Sequence, residues 1–223
     1  MKVGYWIVIG LIAAAVVAVL LATWSERDMP VEQEGDAWVV LAASDGTGHG
    51  LDDPGAHAWP ALIAGSTLTS PRIVNLSIAG LTLDRAVSSV LPDAVQLHPR
   101  GAVVWLVVND FGMGRPLASY ISDLETVLTA FQRVGVAVIV GNLPDLSSLP
   151  FFAEASGDPA ALRAECARWN EAIAEVAQRY GAAVVDFFPD PIDPATVGSD
   201  GFHPSEEGQR RLAERFREAM RDA

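Results

Sequence analysis

Five apolar runs of strand length, separated by segments with helical patterns, constrain the fold of this chain most strongly. The runs are rich in valine and continuous rather than alternating, which is typical of strands covered on both faces in a parallel sheet. Strands alternating with helices over about 185 residues predict a three-layer α/β/α domain with a parallel five-stranded sheet. The predicted strands are Trp38–Ala42, Ile73–Leu76, Ala102–Val108, Val136–Val140 and Ala182–Val185.

The segments between these runs carry helical signals. Asp158 and Pro159 supply an N-cap and a preset first turn for one helix, and Gly181 can end it. The last helix follows Pro204. Apolar residues spaced three and four apart predict the buried face of each helix. These stripes are Leu117, Tyr120, Leu124, Val127 or Leu128, and Phe131; Leu162, Cys166, Trp169, Ile173, Val176 and Tyr180; and Leu212, Phe216 and Met220.

An uncharged run precedes the predicted domain. Residues 5–24, YWIVIGLIAAAVVAVLLATW, have the length that spans a bilayer as a helix, with aromatic residues at both ends. Lys2 lies before the run and acidic residues follow it, which predicts that the rest of the chain faces outward. We therefore expect a transmembrane anchor at 1–24, an acidic linker at 25–36 and an extracytoplasmic domain at 37–223. The alternative is a signal peptide cleaved near Thr23-x-Ser25, which would leave a secreted domain.

The portion after the uncharged run is strongly acidic. It carries 14 Arg, no Lys and 28 Asp and Glu residues, a net charge of −14. This balance repels nucleic acid and anionic lipid headgroups, so we expect no nucleic-acid partner. Cys166 is the only cysteine and lies on an apolar stripe, which predicts a buried structural thiol. No group of histidine, cysteine and acidic residues has the spacing of metal ligands, so we expect no metal.

The stretch Val39–Gly50, VVLAASDGTGHG, ends the first predicted strand with small residues and permits two interpretations. A glycine-rich phosphate loop should open a helix directly, whereas LDDPGAHAWP follows and delays any helix. The chain also has no G-K-[ST] motif, and we expect no cofactor. The second interpretation is that the strand presents Ser44 as a nucleophile, which needs a base and an acid that orients the base.

Near the carboxyl end, GSDGFHPSEEG places Asp200 and His203 three residues apart, with Gly201 between them. In a tight turn the carboxylate can accept a hydrogen bond from one imidazole nitrogen and leave the other for a serine hydroxyl. Alone, D-x-x-H is a common accident, and a capping acid beside a surface histidine is the simpler interpretation. Ligands of parallel sheets bind at the carboxyl ends of the strands. That edge is predicted to carry Ser44, Ser77–Gly80, Asn109–Asp110 and Asn142.

Four short blocks in fixed order resemble those of the SGNH (GDSL-type) hydrolases. LAASDGTG carries Ser44, VNLSIAG carries Gly80, VVWLVVND ends with Asn109 and Asp110, and DGFHP carries Asp200 and His203. GNLPDLSSLP also resembles the Asn-x-Pro stretch that follows the fourth strand in related members. The resemblance covers the chain from Trp38 to its carboxyl terminus and implies a flavodoxin-like α/β/α fold.

The resemblance implies a serine esterase that hydrolyses carboxylic esters through an acyl-enzyme, without cofactor or metal. Ser44 would be the nucleophile, His203 the base and Asp200 the acid that fixes the imidazole. The backbone N–H groups of Ser44 and Gly80 and the Asn109 side-chain amide would bind the oxyanion. For an outward-facing, tethered enzyme, a lipid or cell-envelope acyl ester is the expected substrate. An acyltransferase using the same residues is an alternative.

Two positions depart from the family pattern. Ala42 and Ala43 replace the usual Gly-Asp before the serine, and Val108 stands where glycine is usual. These departures motivate a second alternative, a binding or scaffold protein that kept the fold and lost activity.

Two phenylalanines and three histidines outside the four family blocks remain to be interpreted. Phe151 and Phe152 either line an acyl or aromatic pocket or pack on the domain's own core. His49, His57 and His98 have no matching partners in the sequence, so we expect them to be exposed loop histidines.

Overall fold

A sheet of five parallel strands forms the centre of the fold. The strands are β1 (Ala37–Ala42), β2 (Arg72–Asn75), β3 (Gly101–Trp105), β4 (Ala137–Gly141) and β5 (Ala183–Val185). They are ordered β2-β1-β3-β4-β5, and every pair of neighbours is parallel. The computed structural model describes residues 35–65, 70–189 and 191–223. These residues belong to one compact unit, Glu34–Ala223. The predicted parallel five-stranded sheet is confirmed.

Helices connect and flank the strands. They are α1 (Pro54–His57), α2 (Trp59–Ala64), α3 (Leu83–Ser89), α4 (Leu91–Gln96), α5 (Val107–Gly112), α6 (Leu117–Arg133), α7 (Pro150–Ser156), α8 (Pro159–Tyr180) and α9 (Glu206–Asp222), with 3₁₀ turns at Leu146–Ser148 and Pro194–Thr196. Helix α9 packs against α2 and β5, and helix α6 packs against α3, α4 and α8. The result is the predicted three-layer α/β/α arrangement.

The predicted transmembrane anchor, 1–24, and most of the predicted linker, 25–36, lie outside the described residues. Within residues 35–65, 70–189 and 191–223, no helix combines the length and the apolar character needed to cross a bilayer. The division of the chain into three segments, drawn from the sequence, stays a prediction.

Burial explains why the strands are continuous apolar runs. From Val39 to Ala42, every residue of β1 is completely buried, as expected for a strand covered on both faces. The register pairs Ala42 with Trp105, so the carboxyl ends of β1 and β3 lie level. The chain passes from β1 outward to β2 and then returns to β3, and ligands of doubly wound sheets bind at such a reversal of strand order.

The prediction for the third strand was too long. It extended to Val108, whereas β3 ends at Trp105 and helix α5 begins at Val107. Val107 is completely buried inside the helical turn, so its apolar character reflects burial rather than strand structure. A buried helical turn and a buried strand cannot be told apart by periodicity over so few residues.

The ends and the buried face of α8 agree with the predictions from the sequence. Asp158 caps α8 by accepting a hydrogen bond from the Ala161 N–H at 3.0 Å, and Gly181 ends it in the left-handed region with φ +68°. Cys166 is completely buried on the face of α8 that packs inward, together with Trp169 and Ile173. The structural thiol predicted at Cys166 is therefore confirmed as buried.

Candidate active site

Ser44 lies two residues beyond the end of β1, at the start of a tightly turned loop. Its carbonyl oxygen accepts hydrogen bonds from the His49 N–H at 2.9 Å and from the Thr47 hydroxyl at 3.0 Å. Gly46 packs closely against the Ser77 side chain, where any larger residue would overlap it. These contacts fix the loop at the carboxyl edge of the sheet, with the Ser44 side chain facing the cavity described below.

Asp45 anchors this loop to the rest of the domain. Its carboxylate accepts hydrogen bonds from the Trp59 indole N–H at 2.9 Å and from the Ala43 N–H at 3.3 Å. Its carbonyl oxygen accepts a further bond from the Gln209 side chain at 3.1 Å. Burial raises the pKa of Asp45 to about 6, although the hydrogen bond from Trp59 opposes this change.

The loop that carries Asp200 and His203 is held by its own hydrogen bonds. One carboxylate oxygen of Asp200 accepts from the backbone N–H groups of Phe202 and His203, both at 3.0 Å. Gly201 adopts φ +72°, a conformation that favours glycine and allows the tight turn. The Gly198 N–H donates to the His203 carbonyl at 2.7 Å. The carboxylate and the imidazole are therefore held on one short turn.

Three side chains form one hydrogen-bonded series across 159 positions of sequence. His203 Nε2 lies 3.0 Å from Ser44 Oγ, and His203 Nδ1 lies 2.5 Å from Asp200 Oδ2. Burial acts to raise the pKa of Asp200, but hydrogen bonds from the His203 ring and from two backbone N–H groups outweigh it and lower that pKa. An ionised carboxylate can only accept, so His203 donates from Nδ1, and in the neutral tautomer that carries this proton Nε2 can accept from the Ser44 hydroxyl.

Asn109 and Gly80, two further residues predicted for the site, differ in where they lie relative to the cavity. Asn109 is in the first turn of α5 and lines the same cavity as Ser44 and His203. Its Nδ2 donates to the Leu81 carbonyl at 2.9 Å, which leaves the second N–H of that amide available. Gly80 adopts φ +73° in an exposed turn beside Leu81 and is not among the residues that line the cavity.

A family model for GDSL-like lipases and acylhydrolases matches residues 42–211, a range that includes all five of these positions. The chain belongs to the GDSL-like lipase/acylhydrolase family. Membership indicates a hydrolase that acts on small-molecule esters. No functionally curated protein matches the chain significantly.

Solved structures share the fold of this chain. TesA is 24% identical with a TM-score of 0.60, over 80% of this chain and 94% of its own. The psychrotrophic esterase EstA from Pseudoalteromonas sp., in a structure inhibited by monoethylphosphonate, is 15% identical with a TM-score of 0.67, over 84% and 97%. A Geobacillus acetyl-xylooligosaccharide esterase variant is 17% identical with a TM-score of 0.63, over 83% and 94%. At these identities the likeness concerns the fold.

A cavity of about 280 Å³ opens beside Ser44 and His203 in the acylhydrolase domain. Most of its wall is apolar, and the ion pair between Asp193 and Arg211, at 2.9 Å, is also part of its lining. It is larger than the roughly 150 Å³ apolar cavity that accepts a benzene ring. Its apolar residues include Leu106, Val108, Leu146, Leu149, Phe202 and Leu212.

The two phenylalanines predicted beside the site are not in the cavity wall. Phe151 is 56% exposed on α7, and its ring centroid lies 5.4 Å from that of Phe202. The Phe152 ring lies 5.7 Å from the same residue. Both therefore contact Phe202, which does line the cavity.

Asn142 lies at the predicted carboxyl edge of the sheet, directly after β4, but it is not among the residues that line the cavity. It is buried, donates to the Asp186 carboxylate at 2.7 Å and accepts from the Phe187 N–H at 2.7 Å. Asn142 thus ties the ends of β4 and β5 together.

Sequence reasoning missed two residues near Ser44. Asp45 carried no predicted role, because its partners Trp59 and Gln209 are distant in sequence. His49 is exposed, as predicted, but its ring contacts His203 with a centroid distance of 4.4 Å. No local motif signals either contact.

Proposed function

We propose that this member of the GDSL-like family is a serine esterase that cleaves carboxylic esters through an acyl-enzyme. The observation that carries the proposal is the hydrogen-bonded series Ser44–His203–Asp200, with 3.0 Å and 2.5 Å between the bonded atoms. A serine hydroxyl becomes a useful nucleophile when an adjacent base takes its proton, and an ionised acid keeps that base in the required tautomer.

In the proposed acylation step, Ser44 Oγ forms a bond to the ester carbonyl carbon while its proton passes to His203 Nε2. The carbonyl π pair moves to oxygen and forms a tetrahedral oxyanion. Collapse of this intermediate re-forms the carbonyl, breaks the bond to the alcohol oxygen and transfers the proton from His203 to the departing alcohol. Water then repeats both stages and releases the acid from Ser44.

The proposed oxyanion donors are the Ser44 N–H and the free amide N–H of Asn109. The family resemblance adds the Gly80 N–H, although Gly80 does not line the cavity. Support comes from the anchored Asn109 side chain, which lines the cavity beside Ser44 and has one N–H unused. Donors already aimed at the developing charge need no reorganisation during the reaction, which is why they contribute strongly.

The apolar cavity suits the hydrocarbon part of the ester. Burial of apolar surface favours binding, and a volume of about 280 Å³ corresponds to a short or medium acyl chain or an aromatic acyl group. We therefore propose esters of short to medium apolar acids, including acyl esters of lipids or the cell envelope, as substrates. This choice of envelope substrates depends on export through residues 5–24, which is itself a proposal from the sequence.

The decisive experiment compares Ser44→Ala with Ser199→Ala, an exposed serine on the loop of His203. Ser44→Ala should lose at least about a thousandfold in turnover of a short-chain aryl ester, as nucleophile replacements do in serine hydrolases. A fluorophosphonate should label the wild type and Ser199→Ala but not Ser44→Ala. Labelling or turnover that survives in Ser44→Ala would refute the assignment, and an unreactive wild type would favour a scaffold protein.

The oxyanion assignment has its own test. Asn109→Ala should lower kcat by roughly a hundredfold or more, because the interaction forms only with the developing oxyanion. A change confined to KM would instead identify Asn109 as a contact to the ground-state substrate.

The cavity assignment predicts opposite changes at Leu212. Leu212→Ala enlarges the cavity and should move the preferred acyl chain to greater length, whereas Leu212→Trp should shorten it. A chain-length series of aryl esters measures both shifts. Identical chain-length profiles in the two variants would show that the acyl group binds elsewhere.

A further inference from the structure

The side chain of His49 contacts the imidazole of His203. The two ring centroids lie 4.4 Å apart, and the ring planes meet at 47°. His49 is exposed, and within the part of the chain that the structure describes its ring makes no hydrogen bond or ion pair. Contact with His203 is therefore the main interaction that orders this ring.

The loop of Ser44 determines where the His49 ring lies. The His49 N–H donates to the Ser44 carbonyl at 2.9 Å, which closes the loop and returns the chain to the nucleophile. Gly48 and Gly50 on either side adopt φ +71° and +84°, so the backbone reverses both before and after His49. A Cβ at Gly48 would also overlap Ala58, which leaves the loop little freedom to move.

The His203 ring is held from several directions. Hydrogen bonds to Asp200 and Ser44 fix its two nitrogens, but they leave the ring able to tilt about the line that joins them. The ring of Phe202 lies 4.6 Å away, yet Phe202 is the preceding residue on the same loop and moves with His203. His49 belongs to the Ser44 loop, so its contact links the two loops directly.

We propose that His49 is a positioning residue that holds the His203 ring in the orientation in which Nε2 faces Ser44 Oγ. The inference rests on the proposed serine esterase function, because it concerns the proton transfer from Ser44 to His203. Proton transfer depends on this alignment, and a loss of alignment lowers kcat rather than substrate binding. The contact is aromatic, so another flat ring at position 49 should replace it.

The experiment compares four variants of the full chain, purified in mild non-ionic detergent: His49→Ala, His49→Phe, His57→Ala and Ser44→Ala. His57 is a matched control, because it is also an exposed histidine but its Nδ1 lies 3.4 Å from a carboxylate oxygen of Glu206. The readouts are kcat and KM for a short-chain aryl ester and the rate of fluorophosphonate labelling. The thermal midpoint of each variant is measured in parallel.

We expect His49→Ala to lower kcat and the labelling rate by about 3- to 10-fold, the range typical of one aromatic contact, with KM changed by less than about twofold. His49→Phe should recover kcat to within about twofold of the wild type, and His57→Ala should match the wild type. Because the His49 ring is exposed, the thermal midpoints should agree within a few degrees.

Each other outcome overturns the inference. Unchanged kcat in His49→Ala would show that the contact has no effect on His203, and a change in KM alone would make His49 a substrate contact. Equal losses in His49→Ala and His49→Phe would show that the ring contact is not what matters. Ser44→Ala separates the two proposals: if it is inactive while His49→Ala is unaffected, only the positioning role fails, and if it retains activity, both fail.

Discussion

The carboxyl group of Asp45 gives the fold a dependence on pH that a single substitution should reveal. Asp45 follows the proposed nucleophile and contacts Trp59 and Ala43, and burial raises its pKa from 3.8 to about 6. The folded protein therefore holds this proton more tightly than the unfolded chain does. Stability from this group is greatest below pH 3.8 and is lost as the pH rises toward and beyond 6.

The size of the effect follows from the pKa difference. At about 1.4 kcal/mol for each pKa unit, ionised Asp45 lowers the free energy of unfolding by at most about 3 kcal/mol above pH 7. Solvent in the adjoining cavity screens the charge and makes this an upper limit. About half of the loss has already developed at pH 5, because the unfolded chain is ionised there and the folded one is not.

Asp45→Asn removes the titration while nearly preserving shape. The amide can accept from only one of Trp59 and Ala43, which costs about 1–3 kcal/mol at every pH. The change with pH is therefore the informative quantity. The free energy of unfolding of Asp45→Asn, relative to the wild type, should rise by about 1–1.5 kcal/mol between pH 5 and pH 8.

Urea unfolding of the full chain at four pH values, followed by tryptophan fluorescence, measures this difference. Asp52→Asn makes the same chemical change at an exposed position of the same segment and serves as the control. A difference between wild type and Asp45→Asn that stays constant from pH 5 to pH 8, or that falls, would refute the reasoning.

Three further predictions concern other charged or reactive groups. Asp200→Asn should lower kcat by about 10⁴-fold while the protein stays folded, because the amide favours the wrong imidazole tautomer, and a loss below tenfold would contradict this. The buried Cys166 thiol, whose pKa is raised by burial to about 11, should resist thiol reagents in the native state and react fully in urea. Arg115→Met leaves the completely buried Asp110 carboxylate without its charged partner, although the Leu83 N–H still donates to it at 2.9 Å. It should cost about 3–5 kcal/mol in urea unfolding, whereas a cost below 1 kcal/mol would show that the pair matters little.

The central sheet could be predicted from sequence because burial on both faces determines composition. β1 is completely buried from Val39 to Ala42, and only apolar residues satisfy that requirement. The ends of α8 were predictable for another reason. Asp158 caps the first turn and Gly181 ends the helix in the left-handed conformation, and few residue types can fill either position. Where a strand gives way directly to a buried helical turn, as at Val107, both structures need the same residues and the boundary is not encoded in composition.

The proposed site was partly predictable because parallel strands end at one edge. That rule placed Ser44 and Asn109 together, since β1 and β3 are neighbours, and the four family blocks added Asp200 and His203. The rule does not say which residues line a cavity. Phe151 and Phe152 were plausible by position, yet they contact Phe202 and do not line the cavity themselves, and this depends on how α7 packs on the loop of His203.

A residue outside the family blocks connects the loop of Ser44 to the helix that follows the loop of His203. Gln209 is completely buried in the first turns of α9, accepts from the Trp59 N–H at 2.9 Å and donates to the Asp45 carbonyl at 3.1 Å. It thereby fixes the start of α9, and with it the preceding loop of His203, against the loop of Ser44. Because a misplacement of about 1 Å can remove much of the benefit of alignment, the 3.0 Å approach of Nε2 to Oγ needs such a connection. The family blocks contain the groups that are proposed to react, whereas the buried Gln209 amide connects the two loops that carry them.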